Sequence, residues 1–186
     1  MKNISKTLSY LLRHKPEEAN LILDENGWID INTLLNNLNN LKDRFNLSRD
    51  ITVDDIFELV KTNDKQRFLI SQDNIKIRAN QGHSIDVDLN LQPITPPNIL
   101  YHGSCESNLI SIMNNGIHKM KRNHVHHLSD NYKTAVNVGS RYGKPIVFII
   151  DCKQMCNDGI EFYKSENGVY LVDFINKKYI RRYEKP

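Results

Sequence analysis

Residues 67–78 read RFLISQDNIKIR, and the fold of the first half of the chain turns on them. Two short apolar or alternating runs, Arg67-Phe68-Leu69-Ile70 and Ile75-Lys76-Ile77-Arg78, flank the turn formers Gln72-Asp73-Asn74, so the stretch reads as a β-hairpin. Upstream lie three helical patterns. Ile4, Leu8, Leu11 and Leu12 recur at helical spacing and Pro16 stops the run just beyond His14, so Arg13 and His14 project from the helix end. A second helix is expected from Asn32 to Leu41, after the turn Glu25-Asn26-Gly27 and the short apolar Trp28-Ile29. A third runs from Val53 to Thr62, with Asp54 and Asp55 in its first turn, where negative charge suits the helix dipole. The asparagine-rich run 36–40 reads as compositional bias. Three helices followed by a hairpin point to a winged helix, a fold that serves nucleic acids and protein partners alike, so the fold alone leaves the ligand open. The basic pair on the first helix and Arg67 at the start of the wing tilt the balance toward RNA.

Downstream, Pro93, Pro96 and Pro97 punctuate LQPITPPN (91–98), where proline disfavours helix and restricts its predecessor to extended geometry. The domain boundary is placed there, dividing the chain into 1–92 and 93–186. The second half opens with the apolar Ile99-Leu100-Tyr101. A helix from Asn108 to Asn114 is ended by Gly116, and strands are expected at Ile146–Ile150 and Gly168–Val172. The class is α+β. No Gly-x-Gly-x-x-Gly follows a strand, so a Rossmann dinucleotide site is not indicated.

With 186 residues, 39% of them hydrophobic, the chain can bury one medium core or two small ones. Its 25 basic against 22 acidic residues leave a net charge of only +3, so any nucleic acid must be met by clustered charge, not by a field over the whole surface. The apolar run near the start is too short for a secretory core and lacks a small-residue cleavage site, and no run approaches membrane-spanning length. Three cysteines, Cys105, Cys152 and Cys156, are odd in number and unclustered, the pattern of thiols in a reducing compartment. A cytoplasmic protein is the expectation.

Against that near-neutral background, four basic groups stand in three nonrepetitive contexts: Arg13-His14, Arg67 and Arg122. Guanidinium groups offer planar, bidentate donors to phosphate and keep their charge, and histidine adds a switchable proton. Any one arginine alone is more often a solvated surface group. Together the four read as a trap for a dense anionic centre.

In order, the chain carries SKTLSYLLRHKP (5–16), NDKQRF (63–68), QGHS (81–84), YHGS (101–104) and RNHVHHLS (122–129). Each resembles a signature of the Tpt1/KptA family of RNA 2′-phosphotransferases, and the resemblance runs from about Ser5 to about Tyr170. It implies a winged-helix lobe that clamps phosphate and a small ADP-ribosyltransferase-like split-sheet lobe that binds NAD, in a monomer. The implied reaction removes an internal 2′-phosphate from RNA, of the kind left at tRNA splice junctions, with NAD⁺ consumed as acceptor. First the 2′-phosphate attacks the anomeric carbon of the nicotinamide riboside, expelling nicotinamide and leaving a 2′-phospho-ADP-ribosyl RNA. The ribose 2″-hydroxyl then attacks phosphorus, giving 2′-hydroxyl RNA and ADP-ribose 1″,2″-cyclic phosphate. Positioning of a dianion and stabilisation of the transferring phosphoryl group are what these steps require, and neither calls for a metal.

Carried over motif by motif, the resemblance makes Arg13, His14, Arg67 and Arg122 the catalytic tetrad and places NAD against His102, Gly103 and Ser104. Glycine there would let a turning strand end approach the ligand closely. The second member of the family's NAD-contacting triad falls in His124-Val125-His126-His127-Leu128-Ser129, one histidine longer than the family pattern. Either His126 or His127 fits. Strand alternation makes the register decisive: nearness to Arg122 favours His126, nearness to Leu128-Ser129 favours His127, and Ser129 becomes a further NAD contact. The third member is Val169, whose lack of a carboxylate suits a nucleophile that arrives already ionised. Gln81, His83 and Ser84 either reach the substrate or form a polar turn. Arg141 either meets the NAD pyrophosphate or solvates a loop. His118, His124, His126 and His127 invite a zinc reading, but no cysteine or carboxylate joins them at a familiar spacing. Two rival readings remain: an ADP-ribosyltransferase acting on terminal phosphates or on protein, and a winged-helix binder with no NAD turnover.

Overall fold

The computed structural model describes residues 2–63, 65–121 and 123–186, with the side chains of Lys2, Val125, His126 and His127 outside that description. The chain divides into two compact units, Met1–Asn90 and Leu91–Pro186.

In unit 1 the helices are α1 (Lys2–Arg13), α2 (Ile31–Asn40) and α3 (Val53–Thr62), and the strands are β1 (Ile29–Asp30), β2 (Phe68–Ile70) and β3 (Lys76–Ala79). The apolar stripe of α1 is what buries it: Leu8, Leu11 and Leu12 are wholly inaccessible and pack with Leu34, Leu38, Ile56, Phe68 and Ile77 in one core. Helix starts follow capping chemistry. The Asp30 carboxylate accepts from the Thr33 amide ahead of α2, and Thr52 with Asp55 forms a reciprocal capping box ahead of α3. Asp55 also accepts two bonds from Arg49, at 2.7 and 2.6 Å, and this fork holds its carboxyl well below the usual carboxylate range.

The hairpin is present, with β2 and β3 antiparallel and Leu69 opposite Arg78. Asn74 closes its turn at φ 61°, a left-handed conformation that asparagine tolerates. β1 joins the other side of β3, giving an antiparallel sheet in the order β1-β3-β2.

Unit 2 contains β4 (Ile99–Cys105), α4 (Leu109–Asn115), β5 (Ile117–His118), β6 (Val125–Ser129), α5 (Tyr132–Gly139), β7 (Pro145–Asp151), α6 (Cys152–Asn157), β8 (Tyr163–Lys164), β9 (Tyr170–Val172), β10 (Phe174–Ile175) and β11 (Ile180–Glu184). Six strands form an antiparallel sheet in the order β11-β7-β4-β6-β9-β8, and β10 pairs with β5 in a separate ribbon. Leu100, Leu128, Ile146, Phe148, Ile150, Met155 and Ile175 form its core. Cys152 lies in this core at the junction of β7 and α6, and burial pushes its thiol up to about 12.

Glycine decides how α5 lies on the sheet. A Cβ at Gly103 would run into the backbone of Ala135, and one at Gly139 into the carbonyl of Ser104. Strand and helix can therefore touch only because both positions lack a side chain. Among the described residues no helix is long and apolar enough to cross a membrane.

Candidate active site

The C-terminus of α1 and the start of β2 meet in unit 1. Arg13, the last residue of α1, is partly buried and its Nη2 donates to the Arg67 carbonyl at 3.3 Å. Arg67 sits one residue before β2. Its Nη1 lies 3.5 Å from the Ser5 hydroxyl, which also accepts from Asn63 Nδ2 at 3.2 Å. The approach to Arg67 is unusual, since Gln66 is left-handed at φ 41° without being glycine. Asn80 secures it from both sides: its Nδ2 donates to the Gln66 carbonyl at 2.6 Å and its amide to the Arg67 carbonyl at 2.9 Å.

His14 follows directly after α1. Its Nδ1 lies 2.9 Å from the Ser84 hydroxyl, and the Ser84 amide donates to the Arg13 carbonyl at 2.9 Å. Ser84 thus holds both members of the basic pair, one by backbone and one by side chain, across 70 residues of sequence. Arg13, His14 and Arg67 line one cavity of about 600 Å³ together with Ser5, Lys6, Ser9, Tyr10, Asn63 and Lys65. Gathering this many cations costs stability unless an anion accompanies them, and that is the electrostatic character of a functional site.

Gln81 and His83 do not line that cavity. Both are buried, at 7% and 2% exposure, and His83 Nε2 lies close to Gly27. Burial, reinforced by the charges of Arg13, Arg78 and His14, lowers the His83 pKa to about 4, so the ring is neutral at physiological pH. The QGHS segment therefore divides its labour, with His83 packed behind the basic pair and Ser84 touching it.

In unit 2, His102 lies at the middle of β4, opposite Leu128 on one side and Phe148 on the other. Its ring centroid is 6.4 Å from that of Phe148. Nδ1 is buried with no hydrogen-bond partner among the described residues, and burial lowers the pKa to about 4. A buried neutral imidazole with an unmet polar atom is suited to receiving a ligand's donor or acceptor.

The expected turn at Gly103 is not there. β4 continues through it to Cys105, and the reason for glycine is the close approach of α5. Ser104 is buried and accepts from Asn108 Nδ2 at 3.2 Å. Ser129 stands opposite Tyr101 at the end of β6 and accepts from the Asn131 amide at 3.0 Å. Val169 immediately precedes β9, and its carbonyl takes bonds from the amide and hydroxyl of Ser165. Arg141 is exposed in the turn after α5.

Arg122 and the side chains of His126 and His127 lie outside the described residues. The backbone of β6 is informative all the same. Val125 pairs with Val172 and Leu128 with Tyr170, so three steps on β6 match two on β9 and the register shift falls at the histidine pair. A bulge accommodates the extra residue there, and simple alternation cannot assign a face to either histidine. Among the described residues, no three His, Cys, Asp or Glu side chains gather as metal ligands.

Sequence reasoning missed the rest of the cavity wall in unit 1. Ser5, Ser9 and Arg13 follow one another at i, i+4 spacing along α1, as do Lys6 and Tyr10, and that periodicity was the available signal.

Comparison with known proteins now adds to this geometry. The family model for RNA 2′-phosphotransferase, Tpt1/KptA family, matches residues 1–174. A protein of Acaryochloris marina named "Probable RNA 2′-phosphotransferase" is 49% identical over 179 residues, covering 96% of this chain and 95% of the relative. Proteins with the same name from Trichormus variabilis and Hahella chejuensis are 47% and 48% identical, covering 95% and 97% of this chain and 93% of each relative.

Proposed function

This chain belongs to the Tpt1/KptA family of RNA 2′-phosphotransferases, and from that membership we propose that it removes an internal 2′-phosphate from RNA, with NAD⁺ as the co-substrate that accepts it. Unit 1 is the RNA lobe and unit 2 the NAD lobe. The observation that carries this reading is the convergence of Arg13, His14 and Arg67 on one cavity, from positions 54 residues apart, in a chain of nearly neutral net charge. A 2′-phosphate is a compact dianion, and guanidinium groups meet its oxygens in bidentate geometry without risk of deprotonation.

In this reading unit 1 is a winged helix. The order α1, α2, α3 and then the β2–β3 hairpin supports it. Unit 2 is an ADP-ribosyltransferase-like split sheet, which its six-stranded sheet and separate β5–β10 ribbon support. The unmet Nδ1 of His102 suits NAD⁺, whose ribose hydroxyls and carboxamide can supply the missing partner. The three thiols and the absence of any disulfide among them are in keeping with a cytoplasmic site of action.

The chemistry divides accordingly. Arg13 and Arg67 hold the dianion while it attacks the anomeric carbon of the nicotinamide ribose, with Arg122 the third guanidinium of the tetrad. No general base is needed, because the nucleophile is already ionised, and Val169 in place of a carboxylate agrees with that. When the ribose 2″-hydroxyl then attacks phosphorus, the same guanidiniums stabilise charge on the equatorial oxygens, and His14 is placed to donate to the phosphate or to move the proton. Ser84 fixes the His14 ring through Nδ1, so Nε2 is the atom that meets the phosphate.

Nicotinamide release tests this directly. It is expected with NAD⁺ and an RNA carrying an internal 2′-phosphate, and absent with the same RNA lacking that phosphate. Release followed by a stable ADP-ribosylated RNA, with no cyclic phosphate formed, would replace the second step by simple ADP-ribosylation.

A further inference from the structure

The cavity of unit 1 is larger than a phosphate trap needs. About 600 Å³ is the size of a small-molecule pocket, roughly 300–1,000 Å³, and a lone phosphate would leave most of it unfilled. Beyond Arg13, α1 lines it with Ser5, Lys6, Ser9 and Tyr10. Three of these side chains have features that core packing does not explain. Lys6 is exposed, and no ion pair or hydrogen bond engages it among the described residues. Ser9 Oγ is buried without a hydrogen-bond partner there, a cost that a ligand atom or water would remove. The Tyr10 ring is 40% exposed and yet anchored at its far end, where its hydroxyl donates to Glu18 Oε1 at 2.6 Å while Arg44 pairs with the same carboxylate at 3.0 Å.

The spacing on the helix sets the arrangement. Lys6 and Tyr10 are one turn apart, as are Ser9 and Arg13, so they form adjoining rows on one face. From Lys6 to Arg13 the axis advances about 10 Å, farther than one phosphate can bridge. A fixed aromatic ring, together with an ammonium and a buried hydroxyl that have no partner among the described residues, makes up beside a phosphate trap the equipment for binding a single-stranded nucleotide: stacking for the base, charge for the backbone phosphate, and a hydrogen bond for the sugar edge.

We propose that Lys6, Ser9 and Tyr10 form a subsite for the nucleotide next to the one that bears the 2′-phosphate, with the base on Tyr10 and the intervening backbone phosphate on Lys6. The subsite rests on the reading of Arg13, His14 and Arg67 as the 2′-phosphate site. It makes the enzyme prefer a phosphate inside a single-stranded segment over one on an isolated nucleotide.

The test is equilibrium binding without NAD⁺, using a fluorescent RNA trinucleotide with an internal 2′-phosphate and, as competitor, a single nucleoside 2′-phosphate. The parental protein is expected to bind the trinucleotide more tightly than the mononucleotide. Tyr10→Ala should cost roughly tenfold or more on the trinucleotide alone, whereas Tyr10→Phe, which keeps the ring, retains most of the affinity. Lys6→Ala should lower the dependence of log K on log salt by about 0.7, one single-strand phosphate contact. Parental affinity and salt slope in Lys6→Ala, equal losses in Tyr10→Phe and Tyr10→Ala, or losses shared equally by trinucleotide and mononucleotide would overturn the subsite. A protein that shows the expected binding pattern but releases no nicotinamide upholds the subsite and refutes the reaction.

Discussion

His83 in unit 1 and His102 in unit 2 both have their pKa lowered to about 4, and the two units bring this about differently. At His102 burial acts alone: the imidazole sits in a sheet with Leu128 and Phe148 as its cross-strand neighbours. At His83 burial is joined by the positive charges of Arg13, Arg78 and His14. His83 therefore senses the electrostatic field of the cation-lined cavity, while His102 senses only its lack of water. The contrast marks unit 1 as the one whose positive charge reaches a buried histidine. Unit 1 gathers positive charge around its cavity, whereas in unit 2 the imidazole of His102 is held neutral inside a sheet with no charged neighbour shifting it.

The strongest way to break this division is to remove charge from the cavity. Arg67→Ala should slow turnover about 100- to 1,000-fold at saturating RNA and NAD⁺, the usual loss when a preorganised charge donor is deleted, with far-UV circular dichroism and thermal unfolding close to parental. Parental turnover in that variant would remove Arg67 from the site.

Acid titration comes next. The unfolded chain protonates its histidines near pH 6.5, so between that pH and about 4 it binds protons that folded His83 and His102 refuse. Their contribution to stability is complete above pH 6.5 and is lost as pH falls through this window, by on the order of 3 kcal/mol for each. Urea unfolding as a function of pH should show the decline, and His83→Gln should reduce its slope. A flat profile from pH 7 to 4 would show that neither histidine is held neutral.

A smaller effect, on unit 2 alone, is expected from Gly103→Ala, whose new Cβ meets the Ala135 backbone where nothing flexible can yield. A loss of about 1–3 kcal/mol in thermal or urea unfolding should follow. The smallest effect sharpens the contrast most. Binding of a 2′-phosphorylated nucleotide at Arg13 and His14 should raise the His83 pKa by about a unit or less in an NMR titration and leave His102 unmoved, because only His83 feels those charges. An equal response at both histidines would erase the distinction between the units.

Much of unit 1 could be read from short-range pattern. The third helix spans Val53–Thr62, with Asp54 and Asp55 in its first turn as expected, and α1 ends at Arg13 as the apolar spacing and Pro16 required. The hairpin formed around Asp73-Asn74 because alternation and turn chemistry agreed there. Unit 2 was less legible, since α5 and α6 are short and their placement is tertiary. α5 is held by contact with Gly103 and through Gly139, and α6 begins directly after β7 on an Asp151 cap. The β5–β10 ribbon joins two-residue strands far apart in the chain, which no local window can reveal.

The site divides the same way. Arg13, His14 and Arg67 stood out in their motifs, whereas the Ser84 contact to His14, the left-handed Gln66 and the Asn80 brace arise only when distant segments meet. The bulge in β6 explains why counting residues could not choose between His126 and His127.

The most direct measurement of the central claim is mass spectrometry of an RNA carrying one internal 2′-phosphate after incubation with the purified protein, with and without NAD⁺. The account predicts that the RNA loses its 2′-phosphate only when NAD⁺ is present, with ADP-ribose 1″,2″-cyclic phosphate appearing in equal amount. Loss of the phosphate without NAD⁺, or an unchanged RNA in the presence of folded protein and NAD⁺, would contradict it.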